Sequence, residues 1–106
     1  MTLRTLVVAA VVVLAAGNHA VLAADGAAVY KSRCANCHGD TGRADSPVAK
    51  AMKAPAIAGN ATVAGMSEAD LIKQIREIKQ HAALKSLTDD DLAAAATFVK
   101  GLAAGK

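Results

Sequence analysis

Two thiols and an imidazole fall within five residues in Cys34-Ala35-Asn36-Cys37-His38, and these two cysteines are the only ones in the chain. Thiols separated by two residues can add to the two vinyl groups of one haem, forming two thioether bonds. The histidine that follows immediately is then held under the iron as its proximal ligand. Other chemistries of the same residues ask for more than the chain offers. A thioredoxin-like dithiol needs a surrounding βαβ pattern, and no strand-like run lies nearby. A structural zinc site needs two further Cys or His ligands, and only His81 follows His38. A disulfide between cysteines this close would constrain too small a loop to stabilise much. One covalently attached haem c, held by Cys34, Cys37 and His38, is therefore the expected cofactor.

The rest of the chain must position that group. Residues 1–23 read as a secretory signal peptide, with Arg4 as the positive start, an apolar run from Leu6 to Ala16, and small residues for cleavage at Val21-Leu22-Ala23. The apolar run is too short for a membrane span. A retained anchor is the alternative. The expected mature domain is residues 24–106, a single small unit in the periplasm. Removing the first 23 residues takes away Arg4 and no acid, so the formal charge of +3 drops by one to +2. Such a balance does not suggest nucleic-acid binding. With one Tyr, one Phe and no Trp, the chain has little apolar bulk, and below ~80 residues a core rarely supplies more than ~3–5 kcal/mol. A porphyrin would provide the missing volume.

The element pattern is all-α. Asp25 can cap a helix running through Tyr30 to the cysteines. Glycines and prolines punctuate Gly39 to Gly59, leaving room for one turn at Val48 to Met52. A helix starts at Ser67, with Glu68 and Asp70 in its first turn and Leu71, Ile72, Ile75 and Ile78 on one face. A last helix starts at Thr88 and carries Leu92, Ala95, Phe98, Val99 and Leu102, with Gly101 and Gly105 expected to fray it.

Taken together, these residues resemble the small bacterial class I cytochromes c, over the whole expected mature sequence. Gly26 and Tyr30 precede the haem motif, Pro55-Ala56-Ile57-Ala58-Gly59 follows it, and Leu87-Thr88-Asp89-Asp90-Asp91-Leu92 opens a final helix containing Phe98. The resemblance implies three to four helices wrapped around one haem, with the first and last helices crossing at Gly26 and Phe98. It also implies that the Pro55 carbonyl accepts the Nδ1–H of His38, which fixes the tautomer of the ligand and strengthens its donation.

The pattern departs from that family at the sixth ligand. The loop Lys79-Gln80-His81-Ala82-Ala83-Leu84-Lys85 holds no methionine, and His81 stands where one is usual. His81 is the expected second metal ligand; Met52, Met66 or an open position are the alternatives, and a solvated surface role for His81 is the plain reading. The expected function is that of an exported one-electron carrier between redox protein partners, not itself an enzyme. Lys53, Lys79 and Lys85 are a candidate docking patch for those partners, and a solvated surface is the plainer reading. The rival functions are a ligand-binding or sensing haem protein and a bound subunit of a periplasmic oxidoreductase.

Overall fold

The computed structural model describes residues 25–106. The expected signal segment 1–23 and its cleavage boundary lie outside the described residues. In chain order the helices are α1 (Gly26–Arg33), α2 (Ala35–His38), α3 (Pro47–Ala51), α4 (Ala61–Gly65), α5 (Glu68–Glu77) and α6 (Asp89–Ala103), with a 3-10 helix at Lys79–Ser86 before α6. No strand occurs among the described residues.

Short polar side chains start most of these helices by accepting the backbone N–H groups that a first turn leaves without partners. Asp25 accepts from Ala27 at 3.0 Å, Ser46 from Ala49 at 3.1 Å and Asn60 from Val63 at 3.2 Å. Ser67 accepts from Asp70 and Thr88 from Asp91, each at 3.1 Å. The helices expected at Asp25, Ser67 and Thr88, and the turn expected at Val48 to Met52, are therefore present. α4 and the 3-10 helix were not expected, and two helix ends differ from the sequence reading. Ile78 caps α5 instead of extending its buried face. Gly101 lies inside α6, whose final turn is anchored by buried Ala103, and the chain turns at Gly105 with φ 80°.

α1 crosses α6, and Gly26 makes the crossing possible. A Cβ there would overlap the Ala94 carbonyl and sit 3.3 Å from the Phe98 Cβ. Tyr30 then stacks on Phe98, with ring centres 5.0 Å apart and planes tilted by 46°. Tyr30, Ile57, Leu71, Ala96, Val99 and Ala103 form the main buried cluster. A second cluster of Leu84, Leu87 and Leu92 ties the 3-10 helix to the start of α6, with Val29, Ile72 and Ile75 packed against it. The two clusters support the two halves of the site.

Candidate functional site

One turn of backbone presents the two thiols and the first imidazole. Cys34 ends α1 and begins α2, and its carbonyl accepts from the N–H groups of Cys37 (3.2 Å) and His38 (3.0 Å). Both cysteines are unpaired and half-buried. Burial pushes the Cys34 thiol above its usual range, and the neighbouring Cys37 adds to the shift. Gly39, at φ 85°, then reverses the chain, and its carbonyl accepts the Tyr30 hydroxyl at 2.6 Å. Burial is the main reason the Tyr30 phenol is pushed up to about 12, with Cys34 and Asp40 contributing.

His38 is held from the far side by the loop after α3. Its Nδ1 lies 3.0 Å from the Pro55 carbonyl oxygen. A carbonyl can only accept, so Nδ1 carries the proton and Nε2 keeps a free lone pair. Burial holds the His38 imidazole below its ordinary pKa, the bond to Pro55 works against that, and nearby His81 lowers it further. The Pro55 loop is itself clamped by Gly42, whose carbonyl accepts from Ile57 (2.7 Å) and Ala58 (3.0 Å). Gly42 has φ 72°, and a Cβ there would press on Ile57, Ala58 and Leu102. The sequence reading saw Gly42 only as loop punctuation; its clamping role had no signal beyond the residue type.

His81 comes from a different part of the chain. The segment read as a loop is the 3-10 helix, kinked at His81 (φ −91°, ψ 18°), and it makes His81 half-buried instead of fully solvated. The His81 Nδ1 lies 2.8 Å from the Ile75 carbonyl oxygen in the last turn of α5. In the neutral ring the bond again places the proton on Nδ1 and leaves the Nε2 lone pair free. The ends of this segment are clasped by Arg76, whose guanidinium donates to Asp89 at 2.6 Å and to the Leu87 carbonyl at 3.5 Å. Neither the Ile75 carbonyl nor the Arg76–Asp89 pair was foreseen from the sequence.

The two imidazoles, 43 positions apart in the chain, meet with ring centres 6.1 Å apart and planes at 67°. An imidazole nitrogen lies about 2 Å from a metal it binds, so two rings on opposite sides of one ion have centres about 6.4 Å apart. The observed spacing fits that arrangement. Among the described residues no group of three or more His, Cys, Asp or Glu converges as a metal site. Two neighbouring imidazoles without a third such donor among the described residues suit an ion already bound by four nitrogens, as in a haem, better than a bare ion. α3, packed beside α2, adds an apolar face of the kind a porphyrin packs against, since Val48 and Met52 are 44% and 46% exposed.

The methionine alternatives are placed differently. Met66 is half-buried against the cluster around Tyr30 and Leu71. Met52 ends α3 with its side chain on the exposed apolar face. Lys53, Lys79 and Lys85 are all exposed. Among the described residues no helix is long and apolar enough to cross a membrane.

Comparison with known proteins adds one match. The family described as "Cytochrome C oxidase, cbb3-type, subunit III" matches residues 21–99, most of the chain. No curated protein and no solved structure matches it.

Proposed function

We propose, from the premise that this chain belongs to the cytochrome c domain family of cbb3-type oxidase subunit III, that it is an exported one-electron carrier with bis-histidine ligation. Membership implies electron transfer, covalent haem c and redox partners; such domains are usually extracytoplasmic carriers and not catalysts. The finer reading assigns Cys34 and Cys37 to the thioether bonds, His38 to the proximal position and His81 to the distal one. The bound haem would supply a ferric–ferrous couple.

The chain's own residues account for the rest. Pro55 and Ile75 hold each imidazole with its Nε2 lone pair free, and a strong donor on each side leaves no coordination site for substrate. Two nitrogen donors also lack the softness of a thioether, which favours ferrous iron, so the potential lies below that of His/Met relatives. The 83 residues after position 23 are read as the domain that works in the periplasm, delivered there by residues 1–23. Exposed Lys53, Lys79 and Lys85 are offered as contacts for redox protein partners.

The observation that carries this reading is the 6.1 Å approach of His38 and His81. Its test is the His81→Ala variant. The parent should be low-spin in both oxidation states and slow to bind carbon monoxide, whereas His81→Ala should turn high-spin and bind it rapidly. If spin state and ligand access match the parent, His81 is a surface residue and the ligand must come from Met52 or Met66. A parent that binds carbon monoxide at once would instead favour a ligand-binding or sensing role.

A second reading is favoured by the family description itself, which names an oxidase subunit. In it the chain carries the same electron while permanently bound to a larger oxidoreductase. Stable co-purification with such an enzyme distinguishes it from a diffusing carrier.

A further inference from the structure

An α-helix leaves its last four carbonyls without intrahelical partners. At the end of α5 the Gln74 carbonyl is taken by the Ile78 N–H at 3.2 Å, and the Ile75 carbonyl by the His81 imidazole at 2.8 Å. His81 is thus fixed at two points, its Cβ on the kinked 3-10 helix and its Nδ1 on the end of α5. The backbone fixes the Cα–Cβ bond, and a directional hydrogen bond at Nδ1 restricts the two side-chain torsions that remain, so the plane of the ring is limited as well as its location. The same holds for His38, fixed by α2 at its Cβ and by the Pro55 carbonyl at its Nδ1. The two acceptors belong to separate segments of the chain, and the rings they hold are 67° apart in plane.

We infer that the Ile75 carbonyl is a positioning group for His81, and that with the Pro55 carbonyl it keeps the two imidazoles crossed instead of parallel, the orientation they would present to a bound haem. This rests on the bis-histidine reading above. Its consequence is electronic. A ligated imidazole donates π density perpendicular to its own plane, into one of two iron d orbitals. Parallel rings feed the same orbital and split the pair, which stabilises the ferric hole. Crossed rings feed both orbitals and leave them close in energy. Crossing therefore makes the ferric iron strongly anisotropic and raises the potential relative to a parallel bis-histidine pair. Two backbone carbonyls would thus tune the couple of a bound haem without a further side chain in the site.

The test is electron paramagnetic resonance of the frozen ferric holoprotein, made on the parent and on protein whose His81 is replaced by its Nδ1-methyl analogue. The parent should give one strongly anisotropic low-spin signal dominated by a single high-g feature. The methyl analogue cannot donate to Ile75, so its signal should become less anisotropic or heterogeneous and its potential should shift, with low spin retained. A parent showing the three well-separated lines of parallel rings overturns the inference and leaves bis-histidine ligation standing. An analogue with unchanged signal and potential removes Ile75 from any positioning role. A high-spin or histidine–methionine signature in the parent overturns both the inference and the reading it rests on.

Discussion

The two facing imidazoles are held by opposite means. His38 lies on the same helical turn as Cys34 and Cys37, so three of the proposed site's side chains share one short piece of backbone. Only its second anchor, the Pro55 carbonyl, comes from elsewhere. His81 has no such neighbours. It is placed by the end of α5, by the burial of Leu84 and Leu87 against Leu92, and by the Arg76–Asp89 clasp. One half of the site is written in consecutive residues, while the other is assembled by tertiary packing. The first should therefore fail only when its proposed covalent chemistry is removed. The second should loosen gradually as packing is weakened, with ligand access responding before the fold does.

The largest effect is expected at the thiols. Replacing both, Cys34→Ala with Cys37→Ala, removes the proposed attachment of the haem and with it the apolar volume this aromatic-poor chain lacks. Circular dichroism should show a largely disordered product; a cooperative thermal transition in the haem-free double mutant would mean that the chain folds without the group its thiols are proposed to hold.

Leu92→Ala should come next. Leu92 is 1% exposed and joins the 3-10 helix to α6. Truncation of a buried leucine costs about 2–5 kcal/mol. Chemical denaturation should register that loss, and carbon monoxide should bind faster to the ferrous protein because the His81 segment is the part released. A loss of stability with unchanged ligand access would mean that His81 does not depend on this cluster.

Tyr30→Phe probes the opposite half. It removes one of the two hydrogen bonds to the Gly39 carbonyl, which keeps the Gly42 N–H at 3.1 Å, and a net hydrogen bond contributes about 0.5–1.5 kcal/mol. The raised Tyr30 pKa also sets a pH window. The folded state holds the phenol protonated to about 12 against an ordinary 10.0, so its contribution is complete below pH 10 and is lost as pH rises toward 12. The parent should lose stability across that window, and Tyr30→Phe should lose less. Ligand access at His81 should not change.

The smallest effect belongs to the clasp. Arg76 is 34% exposed and Asp89 94% exposed, and pairs of this kind contribute roughly 0–1 kcal/mol. Arg76→Gln should weaken the fold by no more than that, and the difference from the parent should shrink in high salt. A larger, salt-independent loss would assign Arg76 a greater part in seating His81 than the ion pair explains.

This contrast also governs what the sequence revealed. α1, α5 and α6 were legible because caps and apolar periodicity are local, and the thiol–imidazole motif because its residues are contiguous. Gly26 and Phe98 were placed at the crossing through resemblance, and the structure puts them there. The 3-10 helix was not legible, since Lys79-Gln80-His81-Ala82-Ala83 has no periodicity and its order comes from leucines that bury against α6. α4 has only the Asn60 cap as a sign. The Ile75 and Gly42 carbonyls left no trace because backbone acceptors are the same at every residue.

On the proposed reading, His38 and His81 would together hold one haem iron. Near-infrared magnetic circular dichroism of the ferric holoprotein tests it most directly, because the energy of the porphyrin-to-iron charge-transfer band reports the axial ligand pair. The band should fall at the energy of two neutral imidazoles in the parent and move to that of a histidine–methionine pair in His81→Met. A parent band already at the histidine–methionine energy would contradict the account and return the sixth position to Met52 or Met66.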